Sequence, residues 1–225
     1  MPGGAAAARD AGPAPGEDGD RFEFRIFRRR LGAEARILAA CAGAGPVEAG
    51  LDRYVVLPSP DLGLKVSGGA LELKRRLRSR DRLELWHPQA RLPLPMAAAE
   101  IEALLGLEAR PGRKAVVLAD ASAVAAWFTR VQHRAVVAMR KRRRRYFVAG
   151  VRAEIGEIAW SGGRLETLAV EGPCPGKVAA LVARLGLGHL PNTSYPRLLL
   201  DGRSGRADEP LVQPQPSTRP NGRTR

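Results

Sequence analysis

The first clear pattern along the chain is a strict alternation of charged and apolar residues, Arg21-Phe22-Glu23-Phe24-Arg25-Ile26-Phe27. A period of two predicts a strand with one charged and one apolar face. Leu31 to Ala42 is rich in Ala and Leu and predicts a helix, stopped by Gly43 to Pro46. Leu51 to Leu57 predicts a strand closed by Pro58-Ser59-Pro60, and Leu64-Lys65-Val66 a short one followed by a Ser67-Gly68-Gly69 turn. Ala70 to Leu77 and Arg82 to Trp86 predict two more strands, with Arg78 to Asp81 as the loop between them.

Pro93 and Pro95 interrupt this meander. Ala97 to Leu105 and Ala121 to Phe128 predict helices, with a short strand at Ala115 to Leu118 between them. Strands then resume at Val131 to Lys141, Arg144 to Val148, Val151 to Trp160 and Arg164 to Glu171. Ala149-Gly150 and Ser161-Gly162-Gly163 supply hairpin turns. Pro175 to Leu185 places Val178, Leu181, Val182 and Leu185 on one side of an amphipathic helix, and Asn192 to Pro196 leads into a last element at Leu198 to Leu200. About eight strands in two meanders, without βαβ alternation, argue against a parallel sheet. Residues 1–19 and 201–225 are rich in Ala, Gly and Pro and predict mobile tails around one folded unit of residues 20–200.

Composition adds less than the charge pattern. Hydrophobic residues make up 44% and aromatics 5%, so aliphatic side chains must fill the core. The net charge of +14 attracts polyanions, but it informs only where it clusters. Cys41 and Cys174 are far apart and in no metal-ligand spacing. No apolar run reaches the roughly 18 residues of a membrane span. Met1 to Gly19 has no basic-then-apolar leader, so a reduced, cytoplasmic setting is expected.

Familiar catalytic signatures are absent: no phosphate-binding Gly-x-x-x-x-Gly-Lys loop, no dinucleotide fingerprint, no Gly-x-Ser-x-Gly elbow. His87, His133 and His189 are not spaced as ligands. What remains is charge placed on strands. Glu23 and Arg25 share one strand face, Glu72, Lys74 and Arg76 another, and Lys141, Arg143 and Arg145 a third, with Glu154 and Glu171 on the last two strands. Each taken alone reads as a solvated face. Converging inside a closed sheet, they form a lining of both signs that a ligand is expected to neutralise. Arg and Lys hold phosphate oxygens, and carboxylates hold hard divalent cations.

The order of these motifs resembles the CYTH superfamily, the triphosphate tunnel metalloenzymes. That family carries Glu-x-Glu-x-Lys on its first strand, where this chain has Arg21-Phe22-Glu23-Phe24-Arg25. Leu71 to Arg76 resembles the basic strand that follows, Arg140 to Arg143 the Lys-x-Arg strand, Ala153-Glu154 and Val170-Glu171 the acidic strands, and Asn192 to Tyr195 the Ser-Tyr ending. The likeness covers residues 20–200 and implies an α+β fold, a closed or nearly closed eight-stranded antiparallel β-tunnel with a few flanking helices. It implies metal-dependent hydrolysis of a triphosphate or polyphosphate, with Mg²⁺ or Mn²⁺ as cofactor. By the same likeness Glu23, Glu154 and Glu171 are metal candidates, and Arg25, Lys65, Lys74, Arg76, Lys141 and Arg143 phosphate candidates. Lys141 and Glu154 are the catalytic candidates, and Glu72 an ion-pair partner for Lys74. Arg21 stands where the family has its first acid, and Arg25 where it has Lys.

Two points stay open in the residues themselves. Lys141 shares its parity with Val137 and Met139, so an inward Lys141 calls for a bulge between Met139 and Lys141. The six cations Arg140 to Arg145 also suit nucleic-acid binding, although the interleaved aromatics of single-strand binders are sparse. Tyr146 and Phe147 read as core, and Trp86, Trp127 and Trp160 as core or rim. A non-catalytic triphosphate, polyphosphate or nucleic-acid binder is the alternative to the hydrolase. A structural protein with a decayed tunnel is a third reading.

Overall fold

The computed structural model describes residues 19–41, 43–107 and 115–203. Eight strands close an antiparallel barrel: β1 (Arg21–Arg28), β2 (Ala44–Val55), β3 (Leu62–Ser67), β4 (Ala70–Arg80), β5 (Leu83–Pro93), β8 (Val136–Val148), β9 (Val151–Trp160) and β10 (Gly163–Gly172). Around the barrel the order is β1-β10-β9-β8-β2-β3-β4-β5. The fold class is therefore α+β with a closed eight-stranded antiparallel barrel. β6 (Met96–Ala97) and β7 (Val117–Leu118) form a separate two-stranded ribbon. No helix among the described residues is long and apolar enough to cross a membrane.

Five helices complete the described residues: α1 (Ala33–Cys41), α2 (Ala98–Leu105), α3 (Ala121–Arg130), α4 (Pro175–Arg184) and α5 (Tyr195–Arg203). α3 starts at Asp120, whose carboxylate accepts from the amides of Ser122 and Ala123 at 2.7 and 2.8 Å. α4 starts with Pro175 in its first turn, where a missing N–H costs nothing. α2 ends at Gly106, in the left-handed conformation (φ 63°) that glycine tolerates best.

The alternation of β1 sets the layers. Phe22, Phe24 and Ile26 point out of the barrel into a core with Leu38 of α1 and Val178, Leu181 and Val182 of α4. On the opposite side α2 and α3 cover the outer face of β3 and β4, where Ile101, Val124 and Phe128 meet Leu64, Val66, Leu71 and Leu73. A third cluster plugs one end of the barrel. Tyr195 and Leu199 of α5 pack there against Phe27, Tyr54, Met139 and Ile158. The inside of the barrel is thus apolar at the α5 end and charged over the rest of its length.

Several local expectations change. β2 begins at Ala44, through the segment read as a helix stop, and its ladder with β8 shifts register between Ala44 and Val47. Pro46 lies in that irregularity, where a missing N–H is tolerated. β4 and β5 are each longer than expected and meet at a tight Asp81-Arg82 turn, both residues at positive φ (49° and 67°). The two strands expected at 131–141 and 144–148 are one strand, Val136–Val148. No bulge separates Met139 from Lys141: Asp52, Leu51 and Gly50 pair in unbroken register with Met139, Arg140 and Lys141. Both side chains point inward, and the parity conflict disappears because Met139 sits at the plugged end. Phe147 is 70% exposed, not core, whereas Tyr146, Trp86 and Trp127 are buried. α5 runs to Arg203, three residues past 200. Of the expected tails, 1–19 and 201–225, residues 1–18 and 204–225 lie outside the described residues, and 201–203 belong to α5.

Candidate functional site

The charged interior is built by register. Glu23 pairs across the ladder with Glu171, Arg25 with Ala169, Ala169 with Glu154, and Glu154 with Arg145, so all these side chains share the inner face. Arg143, Lys141 and Met139 continue that face on β8, and Glu48, Gly50 and Asp52 on β2. Lys65 of β3 faces Tyr54 on one side and Glu72 on the other. Bulges in the β4–β5 ladder after Leu73 and Arg76 keep Lys74, Arg76 and Glu84 within reach of this lining.

At the inner end stands Lys141. Its ammonium donates to the Tyr54 hydroxyl at 2.5 Å and lies 2.8 Å from Asp52 Oδ2. It also sits 3.9 Å from the centroid of the Tyr195 ring. Burial pushes the Lys141 ammonium down to about 8, against the pull of Asp52. Burial also works against the Asp52 charge, yet Lys141 and Lys65 hold that carboxyl down to about 2. Lys65 bridges Asp52 and Glu72, at 3.8 and 3.0 Å. Glu72 therefore pairs with Lys65, and with Arg91 at 3.9 Å, rather than with Lys74. The charge of Lys74 acts instead on Glu23.

A second group crosses the barrel floor. Arg25 donates to Glu23 at 2.8 Å and lies 3.6 Å from Glu154. Arg143 reaches Glu154 at 3.4 Å and Glu48 at 3.1 Å, and Arg145 reaches Glu48 at 3.2 Å. Burial opposes the charges of Glu23 and Glu154, but the guanidinium of Arg25 holds both carboxyls below the usual range. Arg76 pairs with Glu84 at 2.6 Å and with Asp61, and burial still raises the Glu84 carboxyl. Arg152 pairs with Glu171.

These pairs correct one expectation. Most of the inner cations are met by carboxylates of the chain itself, so much of the lining's charge is offset without a ligand. Glu48, Asp52 and Glu84, which supply much of that balance, were not picked from the sequence. Asp52 and Tyr54 do share parity in the run 51–57, but nothing local says that parity faces inward.

A resident divalent cation does not fit the acids as they stand. Among the described residues no group of three or more acids, histidines or cysteines could hold one. Arg25 lies between Glu23 and Glu154 and supplies the positive charge that a shared cation would bring. Glu171 is engaged by Arg152. Arg21, in place of the first acid, puts a further cation on the inner face of β1 beside Trp86.

The lining opens on a pocket of about 200 Å³ away from the α5 plug. Its walls include Glu48 and Asp52 of β2, Ser67 and Gly68 of the β3–β4 turn, and Lys141 and Arg143 of β8. β2 pairs with β3 only over Arg53–Val55, so the earlier half of β2 stands clear of β3 and leaves this opening.

A strap closes the opposite seam. β1 pairs with β5 only from Arg21 to Glu23. Beyond that point Asn192 takes over. Its side-chain carbonyl accepts from the Arg25 amide at 2.8 Å, and its amide donates to the carbonyls of Glu23 and Arg82, both at 2.9 Å. The Thr193 amide donates to the Arg25 carbonyl at 2.8 Å.

No protein-family model matches the chain, and no curated protein matches it in sequence. Solved structures do resemble it in chain path. A conserved hypothetical protein from Pyrococcus furiosus is 16% identical with a TM-score of 0.49, covering 80% of this chain and 98% of its own. The putative adenylyl cyclase HpAC1 from Hippeastrum, described as having a dominant triphosphatase activity, is 14% identical with a TM-score of 0.46, covering 82% and 96%. The Pct1 RNA triphosphatase of S. pombe is 10% identical with a TM-score of 0.34, covering 84% of each chain.

Proposed function

We propose that the barrel is a triphosphate tunnel of the CYTH type, in which a triphosphate or polyphosphate binds through its phosphate chain. The observation that carries this reading is the convergence of Lys141 and Arg143 of β8 on the pocket bounded by Glu48 and Asp52, with Lys65 of β3 paired to Asp52 beside it. The acids hold the cations in place. Lys65 has one ammonium hydrogen beyond its two carboxylate partners, and Lys74 and Arg145 add further donors facing the lumen. Phosphate oxygens accept from such donors in short, charge-assisted bonds. Arg25 and Arg76 support the array through Glu23, Glu154 and Glu84. The reading rests on these charges and not on the likeness to the Hippeastrum or S. pombe proteins.

Hydrolysis is a second reading, favoured by Lys141. An ammonium near pH 8, hydrogen-bonded to a tyrosine, is suited to proton transfer near neutrality. Glu154 stays ionised beside Arg25 and Arg143 and would orient them rather than act on the substrate. Mg²⁺ or Mn²⁺ would enter as the counter-ion of the substrate, and no step is assigned to it.

The test is a melting curve with inorganic triphosphate, ATP or thiamine triphosphate, beside phosphate release with and without Mg²⁺ or Mn²⁺. Stabilisation by triphosphate that is lost in Lys65→Ala and Arg143→Ala is the expected result. Release that also disappears in Lys141→Ala and Glu154→Gln adds the hydrolase. Absence of any stabilisation at millimolar triphosphate overturns the tunnel reading.

A further inference from the structure

The run Arg140 to Arg145 is divided by the strand. Lys141, Arg143 and Arg145 enter the barrel, and Arg140, Arg142 and Arg144 point out of it and are exposed. The tunnel uses only the inward half. The outward half lies on a bare stretch of wall. α1 covers β8 near Tyr146 and Val148, and α3 covers the other end near Val55 and Val136. Between them, Val47 and Leu51 of β2, in register with Arg144 and Arg140, are 40% and 42% exposed.

The bare face is therefore a row of three arginines alongside two exposed aliphatic side chains. Arg142 lies 3.6 Å from Glu157, which it shares with Arg164, and Arg140 and Arg144 have no ion pair among the described residues. Successive outward residues of a strand are about 6.8 Å apart. One strand of a duplex advances about 3.4 Å per phosphate along its axis. The row is thus commensurate with a phosphate backbone. Arginine suits it, because its planar fork takes two phosphate oxygens at once.

We propose that this outer face of β2 and β8 docks the sugar-phosphate backbone of a nucleic acid, independently of base sequence. Contacts to phosphates position a strand without reading it. Val47 and Leu51 offer an apolar flank for sugars or bases. An extended peptide is disfavoured on the arginine row because β8 lies mid-wall, its backbone groups used in the ladders to β2 and β9. The net charge of +14 steers any polyanion toward the chain, and the row gives it a place to settle.

The experiment is fluorescence anisotropy of the full chain with a labelled single-stranded oligothymidylate ending in a 5′-hydroxyl, which lacks any triphosphate for the tunnel. The triple variant Arg140→Ser, Arg142→Ser, Arg144→Ser is expected to bind about tenfold or more weakly at low salt. Its slope of log affinity against log salt should be shallower by about 2, from three lost phosphate contacts. Lys65→Ala should bind as the native chain does, and triphosphate stabilisation should be unchanged in the triple variant. The single variant Arg142→Glu, with the native melting temperature, repeats the loss if the triple variant folds poorly. Native-like binding by both variants overturns the proposal, as does loss of binding in Lys65→Ala. Competition by polyglutamate as effective as by unlabelled oligothymidylate assigns the face to an acidic protein instead. A native dimer that the triple variant turns into monomer assigns it to a second copy of the chain. Failure of the tunnel to bind triphosphate leaves this result untouched.

Discussion

Lys141 and Asp52, at diagonal positions on the neighbouring strands β8 and β2, form an ion pair of 2.8 Å in which the two side chains are only 10% and 9% exposed. Each group fixes the behaviour of the other. Asp52 keeps Lys141 charged at neutral pH in a place where burial opposes that charge. Replacing Asp52 by Asn strands the ammonium among Tyr54, Tyr195 and Lys65. The expected cost is about 3 kcal/mol, or roughly 6–12 °C in melting temperature for a chain of this size. Thermal denaturation at pH 7 checks it.

The same pair sets a pH dependence. Lys141 titrates at about 8 when folded and near 10.5 when unfolded, so between these values the unfolded chain binds more protons. Stability therefore rises from pH 8 toward 10, by the linkage relation. Above pH 10 the trend reverses, because burial raises the phenols of Tyr54 and Tyr195, which stay protonated in the fold while unfolded tyrosines ionise. On the acid side Asp52 contributes stability present above pH 3.8 that is lost as pH falls to about 2. Urea denaturation across this range should show the alkaline rise in the native chain and not in Lys141→Met. Triphosphate affinity should move the other way, weakening roughly tenfold once Lys141 is neutral.

Arg25 holds Glu23 and Glu154 together. Arg25→Ala leaves two buried carboxylates facing one another and should destabilise the fold by about 3–5 kcal/mol at neutral pH. The same change removes the group that occupies the space between them. Mn²⁺ in the absence of any phosphate is then expected to raise the melting temperature of Arg25→Ala but not of the native chain. Equal stabilisation of both would show that the native acids already take the ion.

Asn192 replaces a missing stretch of ladder between β1 and β5. Asn192→Ala removes three hydrogen bonds to backbone groups and should cost roughly 2 kcal/mol. Hydrogen exchange locates the effect. The amide of Arg25 should exchange faster, and that of Phe24, on the ladder to β10, should stay protected.

Tyr195 anchors the plug, with ring centroids 5.1 Å from both Phe27 and Tyr54. Its buried hydroxyl has no hydrogen-bond partner among the described residues. Tyr195→Phe should therefore be neutral or stabilise by about 1 kcal/mol. Tyr195→Ala should cost about 3–5 kcal/mol through the cavity it opens. Calorimetry of the two variants separates the role of the ring from that of the hydroxyl.

Local sequence determined much of this protein. Alternation marks β1, Ala149-Gly150 and Ser161-Gly162 mark hairpins, and the parity of Arg140 to Arg145 divides that run between two faces. Those signals depend only on the two-residue period of a strand and on turn chemistry, so they are legible without the fold. Which face turns inward is another matter. It depends on closing β1 onto both β10 and β5, and on α5 filling one end so that Met139 and Lys141 can share the interior. The pairing of Lys141 with Asp52, of Arg25 with Glu154, and of Lys65 rather than Lys74 with Glu72 joins residues from different strands through barrel register. Only the tertiary structure decides such contacts, because the energy of a buried charge depends on what lies across the barrel from it and not on its neighbours in the chain.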